Sequence, residues 1–134
     1  MIIKTSELKG LALDYAVAIC EYPNLVYGET IGLHWASKQI VIPELKEPDC
    51  YYSPVNKWEL AGLIIERAGI TVGIGDWDLD ATPCIQNYLA TSYEQVINDD
   101  QHLGSYGETH LIAAMRCYVT SKMGETVDIP DELL

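Results

Sequence analysis

A dense stretch of apolar residues lies near the C-terminal end of the chain, at residues 111–119, and Arg116 is the only charged residue in it. Thr109 before the stretch is a typical N-cap residue, and Gly124 after it is a typical helix stop. The pattern predicts a helix over residues 109–123 that is buried on all sides, because a helix without a polar face belongs in the interior. A buried Arg116 would then need a carboxylate or backbone carbonyls as partners.

Apolar residues also recur at helical spacing near the N-terminus. They are Leu8, Leu11, Ala12, Tyr15 and Ile19. This spacing predicts a helix over residues 7–20 with one apolar face. Ser6 is the expected N-cap, Glu7 suits the positive end of the helix dipole, and Pro23 ends the segment.

A second apolar run predicts a central helix over residues 57–68, largely buried. Asn56 is the expected N-cap, and Glu59 is placed to reach back to the start of the helix. Gly69 is the expected stop.

The other apolar runs are short and rich in residues that favour strands. Residues 25–27 and 39–42 predict strands within an extended region at 24–43, and residues 70–74 predict another strand. Loops or turns are predicted at residues 44–56, 76–83 and 98–107. Residues 85–97 fit a strand or a helix, and the alternation of residue types favours the strand.

These elements predict an α+β fold in which a small antiparallel sheet is packed by N-terminal, central and C-terminal helices. The length of 134 residues fits one domain over residues 1–134. Residues 125–134 are expected to form an extended acidic tail of that domain.

The net charge of −12 narrows the range of partners. The eight basic residues are scattered, so direct binding to duplex nucleic acid is not expected. The acidity also disfavours membrane surfaces, and no run has the length of a membrane span. The charge serves solubility, or it mimics nucleic acid toward a basic partner.

The four cysteines indicate a reducing compartment. They are Cys20, Cys50, Cys84 and Cys117, and none forms a C-x-x-C pair. Reduced core thiols without a signal peptide predict a cytoplasmic protein.

The chain contains no complete catalytic or metal-binding motif. Asp76, Asp78 and Asp80 resemble the start of a calcium loop, but the required Gly and Glu are replaced by Ala81 and Asn87. His34, His102 and His110 have no ligand spacing, and the glycines at 69, 73 and 75 lack the lysine of a phosphate-binding loop. We therefore expect no metal, no cofactor and no catalytic residues.

Aromatic residues and arginines form the more informative set. The candidate ligand-binding residues are Tyr52, Ser53, Trp58, Arg67 and Arg116. Aromatic rings stack on flat ligands, and arginines bind phosphates or carboxylates in bidentate fashion, so these groups could line one pocket between the central and last helices. The structural alternative places Trp58 in the core and both arginines in salt bridges, for example to Glu66.

Three segments of the chain are similar to one family. The first is Lys4-Thr5-Ser6-Glu7-Leu8 with Ala12–Ala18. The second is Tyr52-Ser53-Pro54 with Trp58, Ile64–Arg67 and Gly69-Ile70. The third is Leu111–Val119 with Ser121-Lys122, Gly124 and Ile129–Leu133. In this order they resemble the phage NinX-like family of small phage and prophage proteins. The entry to the last helix, Gly107-Glu108-Thr109-His110, lacks the two prolines that are common there in the family. The resemblance implies a phage or prophage gene product acting inside a bacterial cell. It implies no catalytic or binding activity.

These observations lead to three functional hypotheses. The first is a non-enzymatic binding protein that sequesters a nucleotide-like small molecule in an aromatic and arginine pocket. The second is a protein–protein interaction module, antitoxin-like or an acidic mimic, that binds a host protein. The third is a small enzyme of unknown chemistry. A homo-oligomer is compatible with the sequence, but no heptad specifies one.

Overall fold

The computed structural model describes residues 1–47, 50–78, 85–92 and 104–134, with the backbone alone at 76–78, 85–87 and 92. Its helices are α1 (Gly10–Glu21), α2 (Trp58–Ala68) and α3 (His110–Met123). Its strands are β1 (Ile2–Lys4), β2 (Gly32–His34), β3 (Gln39–Val41), β4 (Tyr51–Tyr52), β5 (Ile70–Asp78), β6 (Ile85–Ser92), β7 (Ser105–Gly107) and β8 (Thr126–Asp128). Short 3-10 turns lie at Thr5–Glu7 and Asp131–Leu133.

The described strands pair in three small antiparallel sheets. Their orders are β1-β8, β2-β3-β4 and β5-β6-β7. The α+β class and the antiparallel pairing predicted from the sequence are confirmed, but the strands are distributed over three sheets instead of one. None of the helices in this part of the chain is long and apolar enough to cross a membrane.

Helix α3 has both ends that its sequence predicts. The Thr109 hydroxyl accepts a hydrogen bond from the backbone N–H of Ile112 at 3.1 Å. Gly124 ends the helix with a φ of +84°. Most side chains from Leu111 to Val119 are buried, so the prediction of an interior helix is confirmed.

The predicted starts of the other two helices are wrong. Helix α1 begins at Gly10, after a 3-10 turn that contains Ser6, and its N-cap is Lys9. Helix α2 begins at Trp58 with Lys57 as N-cap, because the Asn56 side chain donates to the Ser53 hydroxyl instead. The end of α2 is as predicted, since Gly69 has left-handed φ and ψ of 65° and 41°.

Three segments predicted as loops or turns contain strands. Strand β4 lies within residues 44–56, strand β5 continues through residues 76–78, and strand β7 lies within residues 98–107. Each pairs with the strand that comes immediately before or after it in the chain, and the local pattern did not reveal this pairing. The preference for a strand at 85–97 is confirmed for residues 85–92, and residues 93–97 lie outside the described part of the chain. No strand forms at residues 25–27, which make hydrogen-bonded turns and an isolated bridge from Tyr27 to Ile31.

The expected C-terminal tail is docked onto the rest of the molecule. Strand β8 pairs with β1 in the register Ile3 to Val127, which joins the two ends of the chain. Val127, Ile129 and Leu133 are all buried. These residues alternate with exposed acidic ones, so the acidic composition belongs to the outer face of this segment.

The core lies between α1, α3 and the β5-β6-β7 sheet. Buried residues of α1 and α3, such as Leu13 and Met115, belong to one apolar cluster with Ala90 of β6. Gly107 of β7 allows the close approach of α3, since a Cβ atom at this position would lie 2.4 Å from the Ala113 nitrogen. This packing fixes the side of α3 that carries Arg116 beside strand β7.

Candidate functional site

A cleft of about 490 Å³ lies where the N-terminal segment, β7, α3 and β8 meet. Its lining residues are Lys4, Thr5, Ser6, Gly104, Ser105, Tyr106, Arg116, Thr120, Glu125 and Thr126. The volume is in the range of small-molecule sites in proteins. We call it the Arg116 cleft.

Arg116 joins two walls of the cleft through backbone carbonyls. Its Nε donates to the Leu8 carbonyl at 2.7 Å, and one Nη donates to the Tyr106 carbonyl at 2.8 Å. Burial lowers the pKa of Arg116, and the charge of Glu108 opposes this effect. Among the described residues, Arg116 forms no ion pair. Backbone carbonyls therefore supply the hydrogen-bond partners that were expected for a buried guanidinium, and the described carboxylates, Glu108 included, act on its charge without forming a salt bridge.

Hydrogen bonds hold the remaining walls in place. The buried Thr5 hydroxyl donates to the Gly124 carbonyl at 2.7 Å, and the Thr5 N–H donates to the Glu125 carbonyl at 2.8 Å. The Thr120 hydroxyl donates to the carbonyl of Arg116 at 2.8 Å. The cleft is thus built from segments that are already fixed in the free protein.

The chemistry of the lining suits an anion that carries a flat group. Lys4 and Arg116 supply two positive charges against the single carboxylate of Glu125. The ring of Tyr106 is 48% exposed and offers a stacking surface. Hydroxyl groups of the lining add donors and acceptors, and Ser6 is exposed among them.

The other four predicted ligand-binding residues lie elsewhere. Tyr52 is 3% exposed, and its ring packs edge-on against Tyr22 at 6.2 Å between centroids. Trp58 is 56% exposed instead of lying in the core, and it faces His110 with centroids 6.3 Å apart. Arg67 is exposed and forms an ion pair with Glu21, which raises the pKa of Arg67.

Ser53 belongs to a buried polar cluster around Asp14. The Asp14 carboxylate accepts from the Ser53 hydroxyl at 2.9 Å and from the Val55 N–H at 3.1 Å. Burial raises the pKa of Asp14 to about 7, although both hydrogen bonds and the charge of Lys57 oppose the shift. A small cavity of about 220 Å³ adjoins the cluster.

The sequence analysis missed this cluster, although it held one signal. Asp14 stands between Leu13 and Tyr15 in an otherwise apolar stretch of α1. An isolated carboxylate in such a stretch needs donors from another segment. The sequence does not identify that segment, since Ser53 lies 39 residues away.

The structure places two of the three acidic residues of the calcium-like motif in a strand. Asp76 and Asp78 belong to β5, whereas Asp80 lies outside the described residues. His34 and His110 lie in separate elements, and His102 is also outside the described part. Among the residues that the structure does describe, no three His, Cys, Asp or Glu side chains are grouped so as to hold a metal ion.

A model of a known protein family matches the chain. No curated protein matches the chain. The family model described as Bacteriophage P22, NinX matches residues 4–122, which is most of the chain. The match includes the Asp14 cluster and both arginines, and it ends one residue before the end of α3. The resemblance inferred from the sequence is thereby confirmed, and the chain belongs to the bacteriophage P22 NinX family.

Proposed function

We propose that this member of the NinX family is a non-enzymatic phage accessory protein that binds a small nucleotide-like anion in the Arg116 cleft. The observation that carries the proposal is the half-buried Arg116 guanidinium, which hydrogen-bonds to backbone carbonyls and forms no salt bridge with a described carboxylate. A half-buried guanidinium loses hydration on folding, and an anionic ligand would restore favourable electrostatic interactions. In a chain of net charge −12, a cleft with two cations and one carboxylate differs from the average surface.

The fixed position of Arg116 supports binding because little order would have to be gained. Its hydrogen bonds to the Leu8 and Tyr106 carbonyls restrain the guanidinium before any ligand arrives. Preorganised groups lose less conformational entropy on binding. Lys4 would supply a second charge toward a phosphate, and Tyr106 would stack on a base.

The proposal changes the composition of the predicted site. Of the five candidate residues, Arg116 lines this cleft, and Tyr52, Ser53, Trp58 and Arg67 do not. Tyr106 takes the aromatic role that the sequence suggested for Tyr52 and Trp58. Lys4 replaces Arg67 as the second cation.

Isothermal titration calorimetry against mononucleotides, cyclic oligonucleotides and NAD-derived molecules tests the proposal. We expect saturable binding of at least one phosphate-bearing compound. Lys4→Gln and Tyr106→Ala should each weaken it about tenfold, which is the size of one charged contact or one stacked base. Neither change removes a hydrogen bond made by Arg116.

Two matched control variants show whether a loss of binding comes from the cleft or from a change of charge or aromatic content elsewhere. Lys9→Gln makes the same charge change outside the cleft, and Tyr22→Ala removes another partly exposed tyrosine. Both should bind like the unmodified protein. The absence of heat with every compound in a folded sample, or equal losses in the control variants, would contradict the proposal.

A further inference from the structure

A second concave surface lies around the hairpin of β2 and β3, and the charged side chains that line it are acidic instead of basic. It has a volume of about 460 Å³ and is bordered by Tyr27, Glu29, Leu33, Trp35 and Glu132. We call it the Trp35 groove. It shares no lining residue with the Arg116 cleft.

Trp35 is displayed at a rigid hairpin tip. Its side chain is 79% exposed, the largest exposed fraction among the large apolar residues of the described chain. The His34 ring nitrogen accepts from the Ser37 N–H at 3.1 Å, and the Lys38 N–H donates to the His34 carbonyl at 2.8 Å. An exposed tryptophan on a fixed turn loses little entropy when a partner covers it, and tryptophan is enriched among residues that dominate binding energy.

Tyr27 forms a second fixed aromatic wall. Its ring packs edge-on against Tyr15, with centroids 5.6 Å apart. Its hydroxyl donates to the carboxylate of Glu132. Burial and this hydrogen bond raise the pKa of Tyr27. The turn that follows Tyr27 is closed by the Gly28 N–H, which donates to the Ile31 carbonyl at 2.8 Å.

The charges around the groove have one sign. Glu29 and Glu132 contribute carboxylates, and the lining contains neither lysine nor arginine. Two aromatic rings beside carboxylates form an environment that attracts a cation through ring faces and charge together. The net charge of −12 extends the same preference over the surface as a whole.

We infer that the Trp35 groove docks an arginine-bearing segment of a basic protein partner. The guanidinium would stack on Trp35 and pair with Glu29 and Glu132. Arginine suits this site better than lysine because its planar group stacks on rings and binds carboxylates in bidentate fashion. This site is independent of the Arg116 cleft, so either can fail without the other.

Nuclear magnetic resonance of the tryptophan indole N–H groups tests the inference on the full chain. The probe is the acetylated, amidated peptide Gly-Arg-Arg-Gly, and the matching citrulline peptide is the uncharged control. We expect the arginine peptide to shift the Trp35 indole signal saturably. The citrulline peptide should bind about tenfold more weakly or not at all.

Matched variants show whether the groove itself binds. Trp35→Ala should weaken binding about tenfold, and Glu29→Gln with Glu132→Gln should weaken it by a similar factor. Trp58→Ala and the pair Glu59→Gln with Glu66→Gln, on α2, make equal changes outside the groove and should leave affinity unchanged. Equal binding of both peptides, unchanged affinity in Trp35→Ala, or an equal loss in the α2 pair would overturn the inference.

Discussion

Asp14 is an acidic residue that the fold removes almost completely from water. The residue is 2% exposed, and its carboxylate connects α1 to the segment that leads into α2 by accepting hydrogen bonds from Ser53 and Val55. Burial disfavours the charged form, whereas the hydrogen bonds favour it, and the raised pKa shows that burial prevails. Asp14 therefore contributes a pH-dependent term to stability.

The sign of this term follows from proton linkage. Between the ordinary pKa of 3.8 and the folded value of about 7, the folded state binds more protons than the unfolded state. The Asp14 contribution to the free energy of unfolding therefore falls as pH rises through this window. Asp14→Asn removes this pH dependence. The free energy of unfolding of the variant minus that of the original protein should therefore rise by about 2 to 4 kcal/mol between pH 5 and pH 8.

Urea unfolding of both proteins at the two pH values measures this difference. Glu66→Gln, which removes an exposed carboxylate from α2, is the matched control. Its stability relative to the original protein should change by less than about 0.5 kcal/mol between pH 5 and pH 8. A difference between Asp14→Asn and the original protein that is the same at pH 5 and pH 8 would refute the assignment.

At the scale of single elements, the sequence predicts α3 almost completely because its end signals are local. Thr109 caps its own helix, and Gly124 provides the backbone freedom to end it. Ser6 and Asn56 are equally good cap residues by type, but neither caps a helix. The Asn56 side chain donates instead to the Ser53 hydroxyl, whose own partner Asp14 lies 39 residues away from Ser53, and a local pattern does not include that partner.

The short strands were missed for the same physical reason. Strand β4 exists because Tyr52 pairs with Ile40, and β7 exists because Tyr106 pairs with Leu89. Strands of two or three residues have little intrinsic preference and are stabilised by their neighbours. Helix existence could therefore be predicted from this sequence more reliably than the strand pairing.

Cap removal tests the helix starts. Thr109→Ala should lower the free energy of unfolding by about 1 kcal/mol, because the Ile112 N–H loses its acceptor. Ser6→Ala should change it by less than about 0.5 kcal/mol, since Ser6 is exposed and caps no helix. Urea unfolding decides between these values, and equal losses in both variants would place the start of α1 near Ser6 after all.

At the scale of the whole molecule, the two ends of the chain are parts of one packed structure. Strand β8 lies beyond the residues matched by the family model, yet it pairs with β1 and buries Val127. The Arg116 cleft depends on this arrangement because Lys4 and Glu125 reach it from opposite ends of the chain. Sequence reasoning identified Arg116 as unusual but could not identify these neighbours, which are separated by more than a hundred residues.

Truncation of buried C-terminal side chains tests the docking of this segment. Ile129 is fully buried, whereas Ile2 on the paired strand is 65% exposed. Ile129→Ala should lower the free energy of unfolding by about 2 to 4 kcal/mol, and Ile2→Ala by less than about 1 kcal/mol. Thermal or urea unfolding provides the comparison. A loss below about 1 kcal/mol for Ile129→Ala would show that the segment does not pack as described.

Binding at the Arg116 cleft is the central claim, and the two arginines of the chain allow one direct measurement. In a nitrogen-15 spectrum of the arginine side chains, Arg67 serves as an internal reference, because it lies on α2 in an exposed ion pair with Glu21. Titration with the mononucleotides, cyclic oligonucleotides and NAD-derived molecules should, for at least one compound, shift the Nε–H signal of Arg116 saturably and leave that of Arg67 in place. Equal shifts of both signals with every compound that binds, or no shift of Arg116 with any compound in a folded sample, would contradict the account.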